Sequence, residues 1–326
     1  MAAGRYLTGR LAQYALVLAL ALALNFAIPR LSPGDPLEGI VGESGALLPV
    51  EEQRAIIARV GLDQPLTVQF GRYVRGLARG DLGYSYNKGQ PVREVIADRL
   101  PFTLLLLVPA ALLSAVLGVA LGMRAAWRRG SKTDIGLLAV VLGLDALPPF
   151  FLGTMLLVLF AVRVDLFPVV SSIPVGIGLL SVEGLGELVR RLALPFATLT
   201  LSGLGPYFLL TRSSMLGTLG DDHVLMARAK GCPTKQVVRR HALRPALLPI
   251  ATLFGLSMGF ILGGAVVVET VFSYPGLGRL TYDAVLARDF PMLQGVFLVF
   301  TVAVIGANLL ADLTHPLLDP RVRNRR

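Results

Sequence analysis

Few residues in this chain could do chemistry, and their spacing rules out most reactions. Three histidines, His223, His241 and His315, are too scattered to predict a metal site. The single cysteine, Cys232, excludes an intramolecular disulfide and any multi-cysteine cluster. Neither H-E-x-x-H nor G-x-S-x-G occurs. Gly130-Ser131-Lys132-Thr133 lacks the order and the earlier glycine of a phosphate-binding loop, so no nucleotide site is present on this chain. Two stretches remain. Asp145 is the one acid in the otherwise uncharged run Ile135–Val162, about 10 residues or 15 Å into its helix. An ionisable group at such depth must face the interior of a helix bundle or a wet cavity. Pro148-Pro149 just after it would break the helix and free carbonyls. Asp145 is thus either part of a polar path or a brace bonded to a neighbouring helix. The second stretch is the basic segment Thr218–Arg244.

The elements that must position these residues follow from composition. Of 326 residues, 54% are hydrophobic and 16% charged, against roughly 25% charged in a soluble domain. Mean hydropathy is +0.67. Net charge is +10, and in so apolar a chain the basic residues read as membrane-flanking rather than nucleic-acid-binding. Uncharged stretches able to cross about 30 Å of hydrocarbon are Leu11–Pro29, Pro101–Met123, Leu192–Thr211, Pro245–Val268 and Phe290–Ala311, with Ile135–Val162 as a sixth. Each must be a helix to satisfy its own backbone. Leu166–Val182, interrupted by Pro168 and Pro174, reads as an extracytoplasmic loop or re-entrant segment. Leu11–Pro29, which follows Arg5 and Arg10, is long for a signal peptide and is read as an uncleaved span.

Basic residues orient the spans. The segment Arg30–Arg99 holds 9 basic and 9 acidic residues and is too long to count. The remaining connections and termini place 17 basic residues on one side against 5 on the other. Both termini are therefore expected to be cytoplasmic. Within Arg30–Arg99, Val50–Val60 reads as a charged helix, and Leu66, Phe70, Tyr73 and Leu77 recur at helical spacing. Glu269 and Asp312 fall near span ends, where snorkelling or a salt bridge is expected. Gly255, Gly259 and Gly263 make a small-residue stripe for close helix packing.

In the basic segment, Asp221-Asp222 puts negative charge at the positive end of a helix dipole. A short helix over Val224–Lys230 is then stopped by Gly231 and Pro233. A second helical stretch, Thr234–Arg244, leads into the span at Pro245. Val224, Leu225, Ala227, Val237 and Val238 make the pair partly apolar. Composition leaves two roles open, adsorption to anionic lipid or docking into a partner's groove.

Ala227-Arg228-Ala229-Lys230-Gly231, followed by His241-Ala242-Leu243-Arg244 and Ala246-Leu247-Leu248-Pro249, resembles the cytoplasmic "EAA" loop of binding-protein-dependent ABC importer permeases, in the dipeptide/oligopeptide and nickel branch. Further stretches agree in order: Pro33-Gly34-Asp35-Pro36, Gly61-Leu62-Asp63-Gln64-Pro65, Gly80-Asp81-Leu82-Gly83 and Leu147-Pro148-Pro149-Phe150. Toward the C-terminus come Gly264 to Phe272, Pro275-Gly276-Leu277-Gly278, Asn308 to Asp312 and Leu318-Asp319-Pro320-Arg321. The chain departs from the motif in lacking its leading Glu and final Pro, and it carries Leu225-Met226 where peptide-type permeases have Arg-Thr.

The resemblance implies an all-α polytopic protein of about six transmembrane helices with the type I importer fold, in the bacterial inner membrane. Its parts would be a cytoplasmic N-terminus and first helix (1–29), an extracytoplasmic segment (30–100), a five-helix core (101–314) with the loop 212–244, and a basic cytoplasmic tail (315–326). The loop would form a coupling helix in a cleft of a cytoplasmic ATPase, through Asp222, Ala227, Arg228, Ala229, Lys230, Gly231 and Leu243. Small Ala227 and Ala229 would permit close approach, Gly231 a tight turn, and Arg228 and Lys230 pairing with acidic residues. Asp145 would line the path, facing a peptide's amino group. The implied partners are a second homologous permease, two ABC ATPase domains that bind ATP and Mg, an extracytoplasmic substrate-binding protein that docks on segment 30–100, peptide cargo and the bilayer. Neither a cofactor on this chain nor nucleic acid is expected. Nickel or another small solute is the alternative cargo. A secondary transporter would instead show inverted repeats and mid-membrane ion ligands, and no half-to-half symmetry is evident.

Overall fold

Apolar sequence becomes helix almost throughout, because a backbone that leaves water must close its hydrogen bonds within its own segment. The computed structural model describes residues 2–31, 49–60, 63–172 and 182–318. Pro33-Gly34-Asp35-Pro36, Gly61-Leu62, part of the Leu166–Val182 segment and the tail beyond Leu318 lie outside the described residues. The elements are α1 (Ala2–Leu31), α2 (Val50–Val60), α3 (Leu66–Ala78), β1 (Tyr84–Ser85), β2 (Gln90–Pro91), α4 (Val92–Trp127), α5 (Lys132–Asp145) and α6 (Pro149–Leu157), which continues as a π-helical turn over Val158–Arg163. Then come α7 (Val182–Ser202), α8 (Leu204–Thr218), α9 (Asp222–Ala229), α10 (Thr234–Gln236), a π-helical turn Val237–Ala242, α11 (Leu243–Val271), α12 (Leu277–Leu286) and α13 (Phe290–Leu318). A single antiparallel β1–β2 hairpin among the described residues, two residues per strand, does not alter the all-α class.

Among the described residues, Gly9–Ile28, Val92–Trp127, Glu183–Thr218 and Phe290–Leu310 are long and apolar enough to cross a membrane, and α5 with α6 makes a fifth if that pair counts as one span. The run Pro245–Val268 lies inside α11. One expected span is interrupted. Ile135–Val162 is bent by 97° between α5 and α6, because Pro148 and Pro149 have no N–H to continue the α5 ladder and Pro149 takes the first position of a new helix. Leu192–Thr211 lies within Glu183–Thr218, with a single turn residue, Gly203, between α7 and α8.

The chain divides into two compact units. One combines residues 1–103 with 276–305. Its core joins Val92 and Ile96 of α4 to Leu277 and Leu280 of α12 and Met292 and Val296 of α13. Gly295 permits that approach, since a Cβ there would lie 2.4 Å from Val92 Cγ1. The helical stripe of α3 is a packing face: Phe70 and Tyr73 meet Phe26 of α1 at ring-centroid distances of 5.2 and 5.7 Å. Asn25 Nδ2 donates to Tyr73 Oη at 3.2 Å and to the Gln294 carbonyl at 2.7 Å, and Gln294 Nε2 donates back to the Asn25 carbonyl at 2.9 Å. Asp289 caps α13 by accepting from the Met292 N–H at 3.1 Å. It also accepts from the Ser85 hydroxyl of the hairpin.

The other unit holds residues 104–275 and 306–326. Here α4 and α8 touch backbone to backbone. A Cβ at Gly118 would lie 2.5 Å from Tyr207 Cβ, and one at Gly122 would lie 2.6 Å from the Phe208 carbonyl oxygen. Gly118-x-x-x-Gly122 is therefore a small-residue seam that packs helices in this unit. Of the stripe expected from sequence, Gly255 is buried, Gly263 has open space where its Cβ would be, and the side chains of 258–262 lie outside the described residues. Glu269 is fully buried at the end of α11 and does not snorkel.

Candidate functional site

The short helix α9 forms where the sequence places it. Asp221 is its N-cap in extended conformation, and Asp222 supplies the acidic first turn. Both carboxylates are exposed, and the Asp221 side chain makes no capping bond, so they act on the helix through charge alone. The helix ends in a Schellman motif: the Gly231 N–H donates to the Arg228 carbonyl at 2.9 Å and the Cys232 N–H to the Ala227 carbonyl at 3.2 Å. Gly231 carries the left-handed φ, +74°, that this motif requires at its position.

Helical period sorts the loop residues into two faces. Val224 and Ala227 turn inward and are buried with Met215, Val237, Val238 and Ala242. Ala227 is only 5% exposed. Its small side chain therefore seats α9 on its own protein, which corrects the expectation that it opens room for a partner. On the opposite face Asp222, Leu225, Met226 and Ala229 are exposed, spaced i, i+3, i+4, i+7. Leu225 and Met226, the departure from the family pattern, are about half exposed at 50% and 58%. Lys230 is exposed at the C-cap, and Leu243 opens α11 against the same buried cluster.

The second helical stretch leads into the next span, as expected: helical backbone runs from Thr234 through the π turn Val237–Ala242 directly into α11. Pro245, the third residue of α11, has no N–H to give to the His241 carbonyl four residues earlier. The His223 ring Nε2 lies 3.1 Å from the His241 carbonyl and ties α9 to the π turn.

Two features of this region carry no motif and were missed by sequence reasoning. Arg228 lies over the indole of Trp127, 5.2 Å from the ring centroid. The two side chains line a cavity of about 490 Å³ with Leu219, Cys232, Thr234 and Val237. The available signal was that Trp127 is the only tryptophan, at the junction of an apolar run and a basic turn. Asp134, 2% exposed, receives Arg212 in a bidentate bridge and also accepts from the Gly130 N–H at 3.0 Å.

Asp145 ends α5 rather than standing inside a continuous helix. Its side chain is exposed and lies against Gly205 near the start of α8, where a Cβ would come within 2.2 Å of Oδ1. Among the described residues no hydrogen bond or ion pair involves this carboxylate. It stands apart from the α9 loop, and nothing brings the two together. Among the described residues, no group of His, Cys, Asp and Glu could hold a metal ion.

Comparison with known proteins fits this arrangement. Residues 118–324 match the family model described as binding-protein-dependent transport system inner membrane component, and residues 3–107 match the model for its N-terminal part. The dipeptide transport system permease protein DppB of Escherichia coli K12 is 36% identical over 320 residues, covering 93% of this chain and 94% of the relative. The di/tripeptide transport system permease protein DppB of Pseudomonas aeruginosa is 37% identical over 317 residues, with the same coverage. The chain belongs to the family of binding-protein-dependent transport system inner membrane components, and it is a multi-pass permease subunit of the inner membrane.

Proposed function

We propose that this permease carries small peptides, delivered by an extracytoplasmic substrate-binding protein, through a path formed with a second homologous permease subunit. The observation that carries the cargo is the identity to dipeptide and di/tripeptide permeases along 93% of the chain. In this reading six spans place both termini, the turn 128–131 and α9 in the cytoplasm. The α9 helix is then the coupling element: two cytoplasmic ATPase domains bind ATP and Mg, and their cleft receives the face made by Leu225, Met226 and Ala229, with Arg228, Lys230, Gly231 and Leu243 holding the loop in shape and charge. The exposed pair Leu225 and Met226 supports this reading, because apolar side chains at the tip of a basic loop are stabilised by a groove rather than by water.

Asp145 lines the path. A carboxylate without a protein partner, about 20 Å along α5 from its polar start, cannot rest against lipid and needs water or a cationic group. The peptide ammonium meets that need. The test is purification of the tagged chain followed by ATPase measurement in the full complex with its binding protein, titrated with dipeptides, longer peptides and nickel. Co-isolated ATPase subunits and stimulation by dipeptides are expected. Transport by the isolated chain would overturn the coupling, and stimulation by nickel alone would overturn the cargo.

A further inference from the structure

We propose that the Arg228–Trp127 contact is the joint that fixes the coupling helix to the end of α4, so that both side chains are positioning residues for transmitting ATPase movement into the membrane helices. This rests on the coupling role proposed above for α9.

The inward face of α9 offers little grip. Val224 and Ala227 are short apolar side chains, and such a surface resists separation better than it resists sliding or rotation. Both exits from the helix contain glycine, Gly220 before it and Gly231 after it. Something else must hold its angle. On one side the His223–His241 carbonyl contact ties α9 to the π turn. On the other, Arg228 spans the cavity edge to the Trp127 indole at 5.2 Å. Trp127 is the last residue of α4, and α4 is locked to α8 through the Gly118 and Gly122 contacts. The chain then runs from α8 through Leu219-Gly220-Asp221 back into α9. Helices α4, α8 and α9 thus form a closed loop of contacts in which Arg228–Trp127 adds a directional link to the buried apolar cluster that Ala126, Met215, Val224 and Ala227 share. A cation over an aromatic face strengthens as water is removed, so a docked partner that dries this edge tightens the joint.

The competing role for Arg228 is a direct ion pair with an acidic residue of the ATPase, with Trp127 as passive filler. A double-mutant cycle in the assembled transporter separates the two. The variants are Trp127→Phe, Trp127→Leu, Arg228→Lys, Arg228→Leu and the double leucine, read by co-purified ATPase, basal hydrolysis, stimulation by the loaded binding protein, and alkylation of Cys232. Each single leucine variant should lose about three- to tenfold in stimulation, read per co-purified ATPase. The double variant should be no worse than either single. Phe and Lys, which keep the ring face and the charge, should restore stimulation to within about twofold. Cys232, which borders the same cavity, should be alkylated faster in the leucine variants. Additive losses in the double variant, or equal loss with Phe and Leu, would overturn the joint while leaving the coupling role intact. If a leucine variant fails to assemble, the conservative pair decides: loss of stimulation in both Trp127→Phe and Arg228→Lys would also overturn it. Failure of the wild-type chain to retain any ATPase would instead remove the coupling reading itself.

Discussion

Arg212 grips Asp134 with both arms of its guanidinium, Nε to Oδ1 at 2.7 Å and Nη2 to Oδ2 at 2.8 Å, across 78 residues of sequence. The carboxylate is buried and its side chain is 3% exposed, while Arg212 keeps 22%. Ser131 caps α5 by accepting the Asp134 N–H at 3.3 Å, so the first turn of α5 is both capped and anchored to α8. Removing Arg212 orphans a buried charge. Arg212→Leu should destabilise the purified protein by roughly 2–3 kcal/mol, below the value for a fully buried pair because of the exposure of Arg212. Asp134→Asn, which keeps shape and acceptor, should cost less. Thermal unfolding in detergent checks both, and an Arg212→Leu protein as stable as wild type would contradict the anchor.

Gly231 has a left-handed φ and open space where a Cβ would stand. The cost of substitution there is backbone strain, not collision. Gly231→Val should cost about 1–2 kcal/mol locally and tilt α9, whereas Gly231→Asn, which tolerates this conformation, should retain most function. Insertion and expression should stay near normal for both. Transport and binding-protein-stimulated ATPase should fall with Val and recover with Asn. Full activity of the Val variant would remove the coupling assignment, because a helix lying freely on lipid can shift without loss.

The two glycines of the α4 seam respond to added volume in the opposite way from Gly263. Gly118→Val and Gly122→Leu force side chains into Tyr207 Cβ and the Phe208 carbonyl, an overpacking cost of about 1–3 kcal/mol or more. Gly263→Ala meets nothing within 4 Å and should leave stability unchanged or slightly raised. Detergent thermal melts of the three variants settle the comparison.

Burial pushes the Asp289 carboxyl above its ordinary value of 3.8, against the opposing Ser85 and Met292 hydrogen bonds and the nearby Lys88 charge. The folded state therefore binds its proton more tightly than the unfolded chain. The associated stability is fully present below the unfolded pKa and is lost as pH rises through the folded one. At neutral pH Asp289→Asn should match or exceed wild type in stability, while Asp289→Ala should lose about 1 kcal/mol with the helix cap. Melts of both variants at pH 4 and pH 7 test this. A wild type that grows more stable between those values, with no such gain in the Asn variant, would contradict the sign.

For Asp145, Asn should reduce transport modestly and Leu severely, since Leu replaces a wet position with an apolar plug. Uptake of labelled dipeptide by cells with matched expression is the measurement. Normal transport and assembly in Asp145→Leu would exclude a path role.

What the sequence determined by itself is local. Uncharged runs specify helices because the alternatives leave backbone groups unpaired in lipid. Asp221-Asp222 and Gly231-Cys232-Pro233 bracket α9 because charge, αL freedom and a missing N–H act within a single turn. The order of short motifs along the chain was enough to place it in its family. Tertiary structure decided which face of each element is used. Ala227 was legible as small, but only packing against Val238 and Ala242 turned it inward and left Leu225 and Met226 outside. The pair Gly118 and Gly122 obeys the same four-residue spacing as the stripe at Gly255, and spacing alone could not single it out as the contact between α4 and α8. Asp134–Arg212 and Arg228–Trp127 join residues 78 and 101 positions apart. Such pairs leave no periodic mark, because they form only where the folded chain brings distant segments within a few ångströms.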